Sequence, residues 1–171
     1  MVIRSHLAYL GETPLKGKFQ WRADLLIKAD SSRVWAITDD ISLIPQYHPD
    51  VGSVDLVDGQ RRRGIGVKYQ CNVLEGKGKG SCVEQVVDYV PGVKISTAMG
   101  EDTWGLNKIF EDYVVESTLI PHGNHETILR FEAFYNPLGL FYKVLNPVIL
   151  RKKTKKRALE VMKGIKAFCE R

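Results

Sequence analysis

The segment "VWAITDDISLIPQYHPDV", residues 34–51, holds a dense set of groups able to do chemistry: the Tyr47 phenol, the His48 imidazole and the Asp50 carboxylate, with Trp35, Asp39 and Asp40 upstream. A His and an acid two positions apart suggest a general base and its orienting partner, which must meet within hydrogen-bond reach beside a substrate. Pro49 weakens that reading, because the residue before a proline is biased to extended backbone and Asp50 need not then face the imidazole. His48 is therefore read as structural or surface-placed, and Trp35 and Tyr47 as the aromatic packing of a corner. His6, His48, His122 and His125 complete neither a Ser-His-Asp order nor a metal-ligand set, and Cys71, Cys82 and Cys169 have no C-x-x-C spacing. "GQRRRGIG", residues 59–66, has glycines without the spacing or the following helix of a phosphate loop. Neither a metal nor a cofactor is expected.

A chain of 171 residues is the size of one domain, and folding at that length buries roughly 70% of the unfolded surface, enough for a real core. Apolar content of 44% and charged content of 26% are those of an ordinary globular protein. The formal charge is +5, but six of the 25 basic residues lie in "RKKTKKR", residues 151–157; removing them leaves 19 against 20 acidic residues. The basic character is local, which argues against a nucleic-acid surface. The start "MVIRSHLAYLGETPLKG" has no apolar core of a secretory signal, and an odd, small cysteine count fits a reducing compartment, so a cytoplasmic location is expected.

The elements that must position these residues follow from periodicity. An arm of residues 1–18 precedes a single domain, residues 19–171. Apolar residues alternate from Phe19 to Ile27, the period of a half-buried strand. Asp30 or Ser31 can cap the next helix, Val34, Ile37, Ile41 and Ile44 give it an apolar face, and the segment divides into two short helices near Asp39 and Asp40, with Pro45 as a stop. Period two then prevails: "VGSVDLV", "GVKYQCNVL", "SCVEQVVDYV", "VKISTAM", "WGLNKIFEDYVVESTLI" and "TILRFEAFYN" read as six more strands joined by Gly-rich or Pro-Gly turns. A hairpin centred on Gly76 and Lys77 would set Cys71 opposite Cys82, where a disulfide is geometrically conceivable and two reduced cysteines are the expectation in a reducing compartment. Arg130 and Glu132 read as solvent-facing members of cross-strand charge pairs. "PLGLFYKVLN" forms a short helix, Asn146 caps a second with Pro147 at its first position, and Leu150, Thr154, Ala158, Val161, Ile165 and Phe168 fall on one stripe of it.

This order defines an α+β fold: a seven-stranded curved antiparallel sheet, two short helices after the first strand, and a long C-terminal helix. One helix about 10 to 12 Å across cannot fill the concave face of such a sheet, so an internal cavity is expected. The stretches "ADSSRVWAITDDISLIPQYHPDV", "VVDYVPGVKIS" and "NPLGLFYKVLNPVILRKKTKKRALEVMKGIKAF" resemble those of the START-like, or helix-grip (SRPBCC), superfamily, and within it the polyketide cyclase/dehydrase and lipid transport group, over about residues 19 to 170. The resemblance implies the helix-grip fold and a ligand cavity; the group spans ligand carriers, aromatase/cyclases, plant hormone receptors and quinone-binding chaperones. Tyr47 stands where such proteins often carry Trp in a Trp-x-Pro corner.

Tyr69, Phe110, Tyr113, Phe131 and Tyr135 recur at strand positions, Trp104 lies near a strand start and Trp35 borders the corner; together they are the expected cavity wall for an apolar or aromatic ligand. Arg151, Lys152, Lys153, Lys155, Lys156 and Arg157 wrap around the last helix while Thr154 faces its apolar stripe. With the adjoining "LGLFYKVLNPVIL" they would dock transiently on an anionic membrane surface, each charge adding about 1 kcal/mol near the headgroups. The expected function is binding or transport of a hydrophobic small molecule or lipid. An enzyme of the cyclase/dehydrase type would instead need a buried acid or His with a strongly shifted pKa beside the cavity, and a protein-interaction module would have the cavity collapsed.

Overall fold

The computed structural model describes residues 16–171 apart from Lys77 and Lys79. The expected arm lies mostly outside the described residues. Its last residues, Lys16–Lys18, continue the line of the first strand, with the Gly17 N–H donating to the Asp112 carbonyl at 3.0 Å and the Tyr135 N–H to that of Lys18 at 3.0 Å.

Strands β1 (Phe19–Ile27), β2 (Val51–Leu56), β3 (Lys68–Val73), β4 (Ser81–Val90), β5 (Lys94–Asp102), β6 (Phe110–His122) and β7 (Glu126–Pro137) form one seven-stranded sheet in the order β1-β7-β6-β5-β4-β3-β2. Every pairing is antiparallel. β1 and β2 follow one another in the chain yet occupy opposite edges. The segment between them, α1 (Ser31–Thr38), a 3-10 turn at Ile41–Leu43 and α2 (Ile44–Tyr47), therefore crosses the whole width of the sheet at one end. A twisted sheet closed at one end in this way has a concave side, and α3 (Gly139–Leu145), a π-helical turn at Asn146–Leu150 and α4 (Arg151–Cys169) complete the chain.

Side chains sort by strand parity. On β7 the residues Thr127, Leu129, Phe131, Ala133 and Tyr135 are buried, while Arg130 and Glu132 face outward and pair across the strand with Asp24 (2.8 Å) and Arg22 (2.8 Å). Cys71 and Cys82 are direct partners across β3 and β4 and both are free thiols.

Two expected element boundaries are corrected. Pro45 does not end the helical segment but sits in the first turn of α2, where its missing N–H has no partner to lose; the break falls at Asp39–Asp40, which the 3-10 turn follows. Asn146 does not cap a new helix. Its backbone is helical, and the chain runs from α3 into α4 through the π-helical turn, which accommodates Pro147 by widening the helix instead of stopping it. The Asn146 side chain is thereby carried into the core. It accepts from the Tyr135 hydroxyl at 3.0 Å and donates to Gln20 Oε1 at 2.8 Å, while Gln20 Nε2 donates to the Tyr135 carbonyl at 2.7 Å.

α4 is held at two places. Near its start Thr154 Oγ1 accepts from Trp21 Nε1 on β1 at 2.8 Å. Further along, Gly164 packs on the carbonyl of Tyr47 at the end of α2, so closely that a Cβ there would collide with the oxygen. Among the described residues no helix is long and apolar enough to cross a membrane. In an exposed helix interior Gly→Ala stabilises by about 1 kcal/mol; here the sign should reverse, Gly164→Ala lowering stability by about 1–3 kcal/mol through overpacking, as read by denaturant unfolding.

Candidate functional site

Between the concave face and α4 lies a cavity of about 390 Å³. Its walls follow from the two periodicities. Ile95, Thr97 and Met99 on β5 and Tyr113, Val115 and Ser117 on β6 point inward at spacing two, and Thr154, Ala158, Val161 and Ile165 on α4 face them at helical spacing. Trp21, Phe131 and Ile44 extend the apolar surface, so the lining is mostly hydrocarbon and aromatic with a few polar groups. Of the lining residues, Trp104, Lys153 and Arg157 are exposed to solvent and mark the mouth.

Three of the seven expected wall residues, Trp104, Tyr113 and Phe131, line this cavity. The other four are placed elsewhere. Trp35 packs on Tyr89, ring centroids 5.4 Å apart, and is not among the lining residues. Tyr69 is fully buried behind Glu84, to which its hydroxyl donates at 2.7 Å. Phe110 and Tyr135 form a second aromatic layer: Tyr135 stacks on Tyr113 at 5.1 Å and Phe110 lies 4.4 Å from Tyr135. Simple alternation would send Phe110 and Tyr113 to opposite faces. The register shift between Glu111 and Val114, with Asp112 at a φ of 53°, brings both inward.

Several of the cavity's polar groups come from positions that periodicity did not single out. "RRR" crosses the joint between α1 and α2, where Asp40 bridges to Arg62, and its three side chains part company. Arg61 grips the buried Asp40 carboxylate, Nε lying 3.0 Å from each oxygen, and Arg62 Nη1 donates to the Ala36 carbonyl at 3.1 Å and lies 3.5 Å from an Asp39 oxygen. Arg63 turns inward. Its Nη2 donates to the Tyr69 hydroxyl at 3.1 Å, and it lines the cavity together with Glu84 and Thr38. Burial opposes the Arg63 charge, yet the oxygens of Tyr69 and Tyr47 and the Glu84 carboxylate outweigh that penalty and raise its pKa above that of an ordinary guanidinium. Burial pushes the Tyr47 and Tyr113 phenols up as well, so both remain neutral hydrogen-bond donors at physiological pH.

His48 and Asp50 also line the cavity. His48 Nδ1 accepts from the Asp50 backbone N–H at 3.2 Å, and the Asp50 carboxylate pairs with Arg157 of α4. The basic run is therefore divided. Arg157 and Lys153 stand at the mouth, and Arg151 Nε donates to Gln20 Oε1 at 2.9 Å, whereas Lys152, Lys155 and Lys156 project into solvent. Among the described residues no group of three or more His, Cys, Asp or Glu is placed to hold a metal ion.

The family model for polyketide cyclase / dehydrase and lipid transport matches residues 19–170, and the chain belongs to that family. No curated protein is significantly similar to it. A START superfamily protein from Mycobacterium smegmatis is 14% identical with a TM-score of 0.67, covering 89% of this chain and 97% of that one. Ginseng major latex-like protein 151 from Panax ginseng is 15% identical, TM-score 0.69, with 86% and 95% covered. A norcoclaurine synthase point mutant from Thalictrum flavum, in complex with a transition-state analogue, is 15% identical, TM-score 0.67, with 87% and 92% covered. At these identities the likeness is one of fold, and it is the helix-grip fold.

Burial pushes the Asp40 carboxyl up, but Arg61 and the Ser42 hydroxyl and N–H outweigh it and hold the group below the ordinary aspartate value. Its stabilisation is thus complete above the unfolded pKa of about 3.9 and lost as pH falls through the lower folded value. Asp40→Asn should lower the melting temperature at neutral pH and flatten the fall in stability below about pH 4; an unchanged acid limb would assign that fall to other carboxylates.

Proposed function

We propose that the chain binds a hydrophobic small molecule or lipid in the cavity between its sheet and α4 and carries it, in the cytoplasm, to and from an anionic membrane surface. The observation that supports this most directly is the cavity itself: its size is that of a small-molecule site, its walls are largely apolar, and it opens to solvent at Trp104, Lys153 and Arg157. Burial of a ligand's apolar surface there is worth about 25 cal/mol per Å², and the phenols and Arg63 supply orientation. Family membership agrees at the level of hydrophobic ligand binding or cyclase-like chemistry. Turnover of the cyclase/dehydrase type is the alternative, and it would draw on the polar lining groups Tyr47, His48, Asp50, Arg63 and Tyr113. An interaction module would have no use for a cavity kept open. The free, adjacent Cys71 and Cys82 suit a reducing compartment.

The membrane part of the proposal rests on α3. That helix packs Tyr142 and Leu145 inward, yet its other face is also apolar: Leu140, Phe141 and Val144 are 80%, 70% and 68% exposed, and Val148 of the π-helical turn is 61% exposed. A helix apolar on both faces leaves one of them needing cover. Lys143 lies on the same helix and Arg151, Lys152 and Lys155 follow within the next turns of the chain, so the cover that matches in charge is an anionic lipid surface. The Leu138 N–H donates to the Ile109 carbonyl at 2.8 Å, which ties the start of α3 to the 104–109 segment whose Trp104 and Leu106 line the cavity. Docking would bring the mouth to the membrane.

Native mass spectrometry of protein purified from its own host should find an apolar compound bound, and Ala158→Trp, which fills the cavity from α4, should release it without loss of secondary structure. If native and delipidated samples have one mass and a panel of apolar ligands moves no melting temperature, the carrier reading fails. Sedimentation with phosphatidylserine-containing vesicles should be reduced at least several-fold by Phe141→Asp combined with Val144→Asp and should weaken with salt; undiminished sedimentation would remove α3 from the docking surface.

A further inference from the structure

We propose that Arg63 is a head-group anchor and that the cavity's occupant is an amphipathic monocarboxylic acid, its carboxylate on the Arg63 guanidinium and its apolar body along β5, β6 and α4. This deepens the ligand-binding reading and rests on it.

The first support is the company Arg63 keeps. A guanidinium has five N–H donors. Nε and Nη2 both point at one oxygen, the Tyr69 hydroxyl, at 3.4 and 3.1 Å, and the Tyr69 ring lies beneath the guanidinium, 5.3 Å from its centroid. Tyr47, the other near neighbour, is also a phenol. The carboxylate of the cluster, Glu84, is engaged through Tyr69, whose hydroxyl donates to it at 2.7 Å. Arg63 thus donates to neutral phenol oxygens, and among the described residues the ion pairs within 4.0 Å at this joint are those of Arg61 and Arg62 instead.

The second support is where Arg63 sits. It is one of the lining residues of the cavity, among walls that are otherwise largely apolar, so an occupant meets its guanidinium directly. A carboxylate matches a guanidinium in plane and in charge, and such a pair is strongest where water is largely excluded.

The third is the charge of the lining as a whole. Its ionised side chains are Arg63, Lys153 and Arg157 against Asp50 and Glu84, three positive and two negative, a balance of +1. Arg157 is met by Asp50, and Lys153 stands at the exposed mouth. An occupant with one negative charge brings the lining to neutrality; a neutral ligand leaves the balance as it is, and a cationic one worsens it.

Calorimetric titration of the intact chain at pH 7.5 would compare matched probes: decanoate, decan-1-ol and decylamine, and 2-naphthoate against 2-naphthylmethanol. The acid of each matched pair is expected to bind about tenfold or more tightly than its alcohol, and decylamine weakest. Arg63→Met should remove most of that preference, lowering acid affinity far more than alcohol affinity, and Arg63→Lys should retain part of it. Should Arg63→Met fail to fold, Glu84→Gln remains: its amide oxygen still accepts from Tyr69, the lining gains a net positive charge, and the ratio of acid to alcohol affinity should rise several-fold. Equal affinity for acid and alcohol, or a preference indifferent to both substitutions, overturns the anchor and leaves the carrier reading standing. If no probe binds at all, both fall.

Discussion

The placement of α4 is the constraint on which the rest depends. Its first turns are fixed to the β1 edge by the buried set of Trp21, Gln20, Tyr135, Asn146 and Thr154, each hydrogen-bonded to at least one of the others. Such a network is worth having only when complete, since a buried donor or acceptor left unpaired costs about 1–3 kcal/mol. The middle of the helix is fixed again where Gly164 meets the Tyr47 carbonyl of α2. Two attachments define a line. That line runs over β1 and α2, and the inward residues of β5 and β6 are left facing α4 across open space instead of packing against it.

The same geometry explains why the cavity is apolar along its length and polar at a few points. The walls are set by strand parity and helix period, which place hydrocarbon inward wherever the core is hydrocarbon. Thr97, Ser117 and Thr154 add hydroxyls at those regular positions, and other polar points come from irregular backbone. Arg63 sits between β2 and β3, held by its own N–H to the Asp39 carbonyl at 3.0 Å, and His48 and Asp50 sit between α2 and β2. Connections that cross the end of a sheet can aim a side chain in directions that a regular strand does not offer, which is why orienting groups accumulate there.

α3 and the π-helical turn give the region beside the mouth its character. Pro147 forbids an ordinary helical turn, and the widened turn that results keeps α3 and α4 continuous while rotating Asn146 inward. Leu140, Phe141, Val144 and Val148 are left outward on the same run. One distortion thus serves the buried network on one side and creates the exposed apolar face on the other.

Much of the fold was legible in the sequence because its signals are local. Period-two alternation located all seven strands, although the sixth starts at Phe110 after a 3-10 turn at Leu106–Lys108 and not at Trp104; the Asp39–Asp40 break separated the first helices, and the outward Arg130 and Glu132 followed from parity. The site was legible only in part. Trp104, Tyr113 and Phe131 line the cavity, but Trp35, Tyr69, Phe110 and Tyr135 do not, since an aromatic at a strand position is buried whether it faces a void or another ring. Three consecutive arginines carry no local mark of which one turns inward; that depends on Asp39 and Asp40 claiming two of them from across the helix joint. By itself the sequence determined the elements, their order and the shortage of helix to cover the sheet, because these depend on periods of two and 3.6 within each segment. Only the tertiary structure decided which side chains meet in the cavity, because a strand bulge, a π-helical turn and ion pairs between distant residues re-aim them, and those contacts exist only once the chain has closed.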